Sequence, residues 1–215
     1  LPFSFPIIPK RGLTPWERVS DMPRKPRIWY PGAIYHVICR GNRRSDIFRD
    51  REDYNVYLGI LGERKRECVF KLYTYCLMTN HVHLHIETQE TDISQIMTKI
   101  NMGSGPYYKL FILLDIFLGK VVEYFNDKYD LSGHLFQGRF HSEIIEKDGY
   151  NLEVNRYIHL NPVRANMVQD PADYHWSSYN IYLGKHSNGL VDTEKILNYF
   201  SQENVQKYKE FIIGA

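Results

Sequence analysis

Three histidines occupy alternate positions in the run Asn80-His81-Val82-His83-Leu84-His85-Ile86-Glu87. In a β-strand alternate side chains share a face, and positions i and i+2 lie about 6.6 Å apart along the chain. Two imidazoles at that spacing can converge on one divalent cation, since neutral imidazole is the commonest metal ligand. An isolated His-x-His is equally what a pair of hydrogen-bonded core histidines gives. The pattern alone does not choose between them.

A second element lies about 75 residues downstream, Asn155-Arg156-Tyr157-Ile158-His159-Leu160-Asn161-Pro162-Val163-Arg164-Ala165. Tyr150, Leu152 to Val154 and Tyr157-Ile158 recur at helical spacing, and Pro162 is expected to stop or kink the helix near Asn161. Tyr157 and Asn161 then stand one turn apart on one face. A phenol and a carboxamide oxygen can enter one site together. Taken alone, they also fit a core tyrosine and a helix-ending asparagine.

Together the two elements resemble the single-tyrosine HUH transposases, in particular the REP-associated tyrosine transposase branch. His81-Val82-His83 matches the His-apolar-His signature, and Tyr157 to Val163 matches the Tyr-x-x-x-Asn-Pro-Val helix. Three further stretches match in order: Tyr30-Pro31-Gly32-Ala33-Ile34-Tyr35-His36-Val37 with Arg40-Gly41-Asn42-Arg43-Arg44, Gly133-His134-Leu135-Phe136-Gln137-Gly138-Arg139-Phe140, and Asp173-Tyr174-His175-Trp176-Ser177-Ser178-Tyr179. The resemblance covers about Met22 to Gly184. It implies a metal-dependent single-stranded DNA transesterase that nicks and rejoins hairpin or palindromic DNA through a 5′-phosphotyrosine intermediate. Tyr157 would be the nucleophile, and His81, His83 and Asn161 would hold Mg²⁺ or Mn²⁺. A phenol titrates near 10 in water, so the nucleophile needs help from the metal or a base. A mixed imidazole and amide site suits Mg²⁺ less than a carboxylate cage does, which favours Mn²⁺ in vitro.

His85 is expected to support or pack rather than ligate, and Glu87 continues its face. His159 points away from Tyr157. His36 and His134 sit in matching motifs without an assigned chemistry. Two other functions compete: a DNA-binding protein of the same fold that has lost activity, and a hydrolase using His-x-His to activate water.

Formal charge is only +2, so nucleic-acid binding rests on local clusters. Arg24, Lys25 and Arg27 form a basic arm. Arg40, Asn42, Arg43 and Arg44 form a candidate DNA-binding loop, and Arg139, Arg156 and Arg164 lie in or beside the motifs. Seventeen tyrosines make tyrosine as such uninformative. Three cysteines without Cys-x-x-Cys spacing read as reduced, buried thiols. No segment has the length and apolarity of a membrane span. A cytoplasmic protein associated with a bacterial or archaeal nucleoid is expected.

The elements that must position these residues read in the order β-α-β-β-α-β-α: strands over Ile34 to Arg40, Phe70 to Leu77, His81 to Glu87 and Phe140 to Ile145, and helices over Asp50 to Arg66, capped by Asp50, and from Ile93 to about Met102. The expected fold is α+β, a ferredoxin-like antiparallel sheet with helices packed on one face. Residues 1–21 carry four prolines and read as a poorly ordered leader ahead of Met22, a plausible start. Residues 22–184 form the catalytic domain, with 103–122 a probable insertion. Residues 185–215 form a C-terminal extension of two short amphipathic helices, Val191 to Phe200 and Val205 to Ile213. Related proteins include dimers that exchange the tyrosine helix and monomers, so a homodimer and a monomer are both open.

Overall fold

A computed structural model describes residues 27–101 and 121–214. The basic-arm residues Arg24 and Lys25, the leader and most of the 103–122 insertion lie outside the described residues. Four strands form one antiparallel sheet: β1 (Ile34–Arg40), β2 (Lys71–Met78), β3 (His81–Glu87) and β4 (His141–Ile145), in the order β2-β3-β1-β4. The helices that frame the sheet are α1 (Arg51–Cys68), α2 (Ile93–Asn101), α3 (Val121–Tyr129) and α4 (Asp148–Arg164). Strands β1 and β2 are parallel to one another across β3, the split arrangement of a ferredoxin-like fold. The α+β architecture expected from the sequence is thus present.

Strand β3 owes its central place to its side-chain alternation. Val82, Leu84 and Ile86 join Tyr35, Val37 and Cys39 of β1 in one apolar core against α1 and α2. A one-residue slip would bury the wrong set, so the register is strongly fixed. The opposite face carries Ile34, Tyr73, Cys76 and Met78, which pack against Val154 and Ile158 of α4. The helices α1 and α2 therefore cover one face, and α4 covers the other in addition. His81, His83, His85 and Glu87 point to this second face by the same alternation.

Helix α1 starts at a reciprocal capping box. The Asp53 amide donates to Asp50 Oδ1 at 3.1 Å, and the Asp50 amide donates to Asp53 Oδ2 at 3.2 Å. Asp53 is fully buried and also accepts from the Arg49 amide, the Tyr124 and Tyr129 hydroxyls and the Lys128 ammonium. One carboxylate thus ties α3 to the start of α1. The helix runs two residues beyond the expected Arg66, to Cys68, and Val69 closes it in the left-handed region at φ 50°.

The matching Asp173 to Tyr179 segment closes the outer edge of the sheet. Ser177 bridges to Cys76, the Leu77 amide donates to the Trp176 carbonyl at 2.9 Å, and the Ser178 amide donates to the Tyr75 carbonyl at 3.0 Å. An exposed strand edge is a template for unwanted pairing, and these bonds occupy the β2 edge. Beyond it lie α5 (Tyr179–Tyr182), α6 (Glu194–Leu197) and α7 (Asn204–Ile213). The two expected C-terminal helices thus appear as the short α6, continued by a 3-10 turn over Asn198–Glu203, and as α7. The three cysteines are buried and free, and no described helix is long and apolar enough to cross a membrane.

Helix α4 departs from expectation at its end. It runs through Pro162 to Arg164, with the Ala165 amide donating to the Asn161 carbonyl at 2.9 Å. A proline this close to a helix terminus removes only one ladder bond, so the last turn survives. A buried polar cluster fixes α4 between β2 and α7. Asn155 Nδ2 donates to Thr74 Oγ1 at 2.5 Å, and the Tyr208 hydroxyl donates to Asn155 Oδ1 at 2.6 Å. His159 meets the Tyr208 oxygen through Nδ1 at 2.6 Å and Ser178 Oγ through Nε2 at 2.8 Å.

Two stability outcomes follow. Asp53→Ala leaves two amides, two hydroxyls and an ammonium without their common acceptor and is expected to cost about 3 kcal/mol in denaturant unfolding. Burial pushes the Asp53 carboxyl up, but the Arg49 amide, Lys128, Tyr129 and Tyr124 outweigh it and hold the group below 3.8. Its contribution is therefore complete above that value and fades as pH falls through the lowered folded-state value; the acid limb of the wild-type stability curve should flatten in Asp53→Ala. Tyr208→Phe strands Asn155 Oδ1 and His159 Nδ1 in the interior and should cost about 1–3 kcal/mol, read as a lowered thermal midpoint.

Candidate active site

The second face of the sheet brings three imidazoles and a phenol together. His83 lies edge-on to Tyr157, with ring centroids 5.7 Å apart and planes at 82°. His81 is edge-on to His83 at 4.9 Å. His36 stacks on His83 at 5.2 Å and meets Tyr157 edge-on at 5.7 Å. The strand register explains the fourth ring. His36 is directly opposite His85, and His83 is opposite Ile38, so His36 and His83 are diagonal neighbours on one face. Sequence spacing within β3 could not reveal this partner from another strand; its pairing register supplies it.

The orientation of His81 is set by Asn80. The Asn80 Nδ2 donates to the Arg44 carbonyl at 3.3 Å, which turns its Oδ1 toward His81. His81 Nδ1 is 2.6 Å from that oxygen. An amide oxygen only accepts, so Nδ1 carries the proton and Nε2 keeps a lone pair. This is the arrangement of a metal-ligating histidine whose other nitrogen is anchored. Asn80 carries no signal of this role in the sequence; its position at the β2–β3 turn is what makes it an anchor.

His83 is 2 % exposed, and its Nε2 is buried without a hydrogen-bond partner among the described residues. An orphaned polar atom in a buried site calls for a reason, and a place for a bound ligand is one. Its other nitrogen, Nδ1, is 2.9 Å from His36 Nε2. Burial lowers His81 to about 4 and His36 to about 4, and drives His83 well below 6.5; neighbouring Arg40, His141 and the facing rings add to this. All three imidazoles are consequently neutral at pH 7, the form that coordinates metal.

Asn161 Nδ2 donates to the Tyr157 carbonyl one turn earlier at 3.0 Å. This fixes its amide and leaves Oδ1 as the remaining side-chain acceptor. The donor set of His81, His83 and Asn161 fits a divalent cation of intermediate softness, with two imidazole nitrogens and one amide oxygen. Among the described residues no group of three or more His, Cys, Asp and Glu side chains is arranged to hold a metal ion. A site here depends on the amide as well as the imidazoles.

The other expected residues separate into two groups. Arg164 lies over the Tyr157 ring, its guanidinium carbon 5.0 Å from the centroid. Arg40 ends β1 opposite His81, and the Arg43 and Arg44 side chains are exposed beside it. Both adopt positive φ, 52° and 62°. Gly41 is required at the start of this loop, because a Cβ there would sit 2.2 Å from the Ser45 carbonyl oxygen. The Asn42 amide donates to the Leu135 carbonyl at 2.8 Å, docking the loop on the Gly133 to Phe140 segment. Arg156 lies over Phe211 of α7 at 5.1 Å and 4.0 Å from Glu153. Arg139 is exposed in the turn before β4. Arg27 bonds to Ser142 Oγ and the Phe140 carbonyl, so this member of the basic arm is docked on β4.

His85 is fully buried beside Asn151 of α4. Glu87 accepts from the Tyr73 hydroxyl at 2.6 Å and pairs with Lys195 at 2.7 Å, a structural role. His159 belongs to the buried cluster with Tyr208, and His134 is exposed.

Comparison with known proteins gives this geometry a family. The family described as "Transposase IS200 like" matches residues 30–161, more than half of the chain. No curated protein matches. Among solved structures, a REP-associated tyrosine transposase bound to a REP hairpin superposes with a TM-score of 0.58 at 18 % identity, covering 80 % of this chain and 90 % of that one. A putative transposase from Deinococcus radiodurans gives a TM-score of 0.36 at 14 % identity, covering 63 % of this chain and 95 % of that one. The first likeness supports the ferredoxin-like fold; the second is too remote to argue from. With the His81 to Glu87 strand and most of the tyrosine helix inside the matched region, the chain belongs to the IS200-like transposase family.

Proposed function

We propose that this transposase cleaves and rejoins single-stranded DNA through a covalent bond to Tyr157, with His81, His83 and Asn161 holding Mg²⁺ or Mn²⁺. The observation that carries this reading is the edge-on approach of Tyr157 to His83 within one chain. A bound divalent cation supplies Lewis-acid polarisation of the scissile phosphate. Tyr157 Oη attacks phosphorus and gives up its proton; the Oη–P bond forms as the P–O3′ bond breaks. The departing O3′ takes up a proton and leaves a free 3′-hydroxyl, while the 5′ phosphate stays on the tyrosine. Attack by a second 3′-hydroxyl reverses these steps and joins a new strand without an external energy source. The guanidinium of Arg164 over the Tyr157 ring is suited to the charge that develops on the phosphate.

Arg40, Asn42, Arg43 and Arg44 form the phosphate-contacting loop in this reading, and Arg139 extends it. A hairpin or palindrome is the proposed substrate, as the related transposase bound to a REP hairpin suggests. Arg156 and Arg164, on the tyrosine helix, are proposed as further DNA contacts, with Arg156 also lying over Phe211 of α7. Residues 22–184 carry the catalytic unit, and 185–215 brace its tyrosine helix. The tyrosine is proposed to act in cis, a reading supported by the approach of Tyr157 to His83 and His36 within one chain. The proposed setting is the cytoplasm, where the chromosome lies.

Incubation with a single-stranded hairpin and Mn²⁺, followed by denaturing electrophoresis, should show protein attached to a 5′ DNA end. Tyr157→Phe should abolish both cleavage and adduct while hairpin binding stays within about twofold. Hydrolysis that survives this change, or the absence of cleavage in the unaltered protein, would overturn the reading. Arg43→Ala and Arg44→Ala should each lower the salt dependence of hairpin affinity by about one contact in a log–log plot.

A further inference from the structure

His36 touches both halves of the candidate site from a strand that contributes no expected ligand. Its Nε2 is 2.9 Å from His83 Nδ1, and its ring packs against Tyr157. Only one proton can lie between the two facing nitrogens. If His36 donates it, a neutral His83 must carry its own proton on Nε2, which then has no lone pair for a cation. If His83 donates it, Nε2 is left as a buried, unpartnered lone pair. Neutral imidazole permits either form, and the hydrogen bond at the second nitrogen decides between them.

The His81 half of the site is resolved the same way. There the Asn80 amide oxygen accepts the Nδ1 proton and leaves Nε2 open. A cation reached by both imidazoles through Nε2 needs both in this tautomer.

We infer that His36 is a positioning residue: its Nε2 accepts the proton of His83 Nδ1, which fixes the ring and turns the Nε2 lone pair of His83 into the site. This rests on the metal-dependent reading proposed above. Anchoring contacts of this kind change metal affinity by about 10–100-fold when removed. The diagonal register of β1 on β3 delivers the acceptor, and burial on the sheet face removes water as a substitute.

Long-range ¹H–¹⁵N spectra of the metal-free, unaltered protein read the tautomer directly, with His83 assigned by its loss in His83→Asn. The expected result is a proton on Nδ1 of His83; a proton on Nε2 overturns the assignment. Mn²⁺ affinity, measured by electron paramagnetic resonance, should weaken about 10–100-fold in His36→Phe. His36→Gln keeps a side-chain acceptor and should recover most of that loss, with similar thermal midpoints in both variants. Equal Mn²⁺ affinity in His36→Phe and the unaltered protein overturns the role of His36 alone. Failure of the unaltered protein to bind Mn²⁺ overturns the metal-dependent reading and this one together.

Discussion

The alternation of β3 is the constraint on which the rest depends. One set of its side chains is aliphatic and is sealed by α1 and α2. The other set is imidazole and carboxylate and is sealed by α4. A strand buried on both faces usually reads as a continuous aliphatic run. Here half of it is polar, so each imidazole needs either a partner or a ligand. His81 has Asn80, and His83 has His36 on one nitrogen and an orphan on the other.

The polar surroundings divide between holding the fold and shaping the site. Glu87, at the far end of the face, is satisfied by Tyr73 and Lys195. Asn155 and His159 spend their hydrogen bonds on Thr74, Tyr208 and Ser178, which fixes the rotation of α4 about its axis. That rotation in turn presents the half-buried Tyr157 ring to the imidazoles. Rigid supports of this kind are what a reactive group needs to stay within reach of its target.

Much of this was legible in the residues. The period-two pattern gave β3 with its full bounds, His81–Glu87, and Asp50 announced the start of α1 through its cap. Tyr157 and Asn161 were readable as a pair because helical spacing is local. The end of α4 was harder: Pro162 suggests a stop, but a proline in the last turn removes too little to end the helix. His36 and Asn80 escaped functional assignment because their roles come from cross-strand register and from an amide held by a loop carbonyl. Such relations exist only after the chain has folded. Arg156 likewise packs over Phe211 of α7, a contact that its charge alone does not announce.

The anchoring of α4 by Tyr208 has a bearing on assembly. A chain can lend a helix to another copy only by first withdrawing it from its own sheet. Here withdrawal ruptures the Asn155 bond to Thr74 and the His159 bond to Ser178, and drags α7 along through Tyr208. Exchange of this helix between copies would therefore have to break the buried polar cluster as well as the contacts with the sheet.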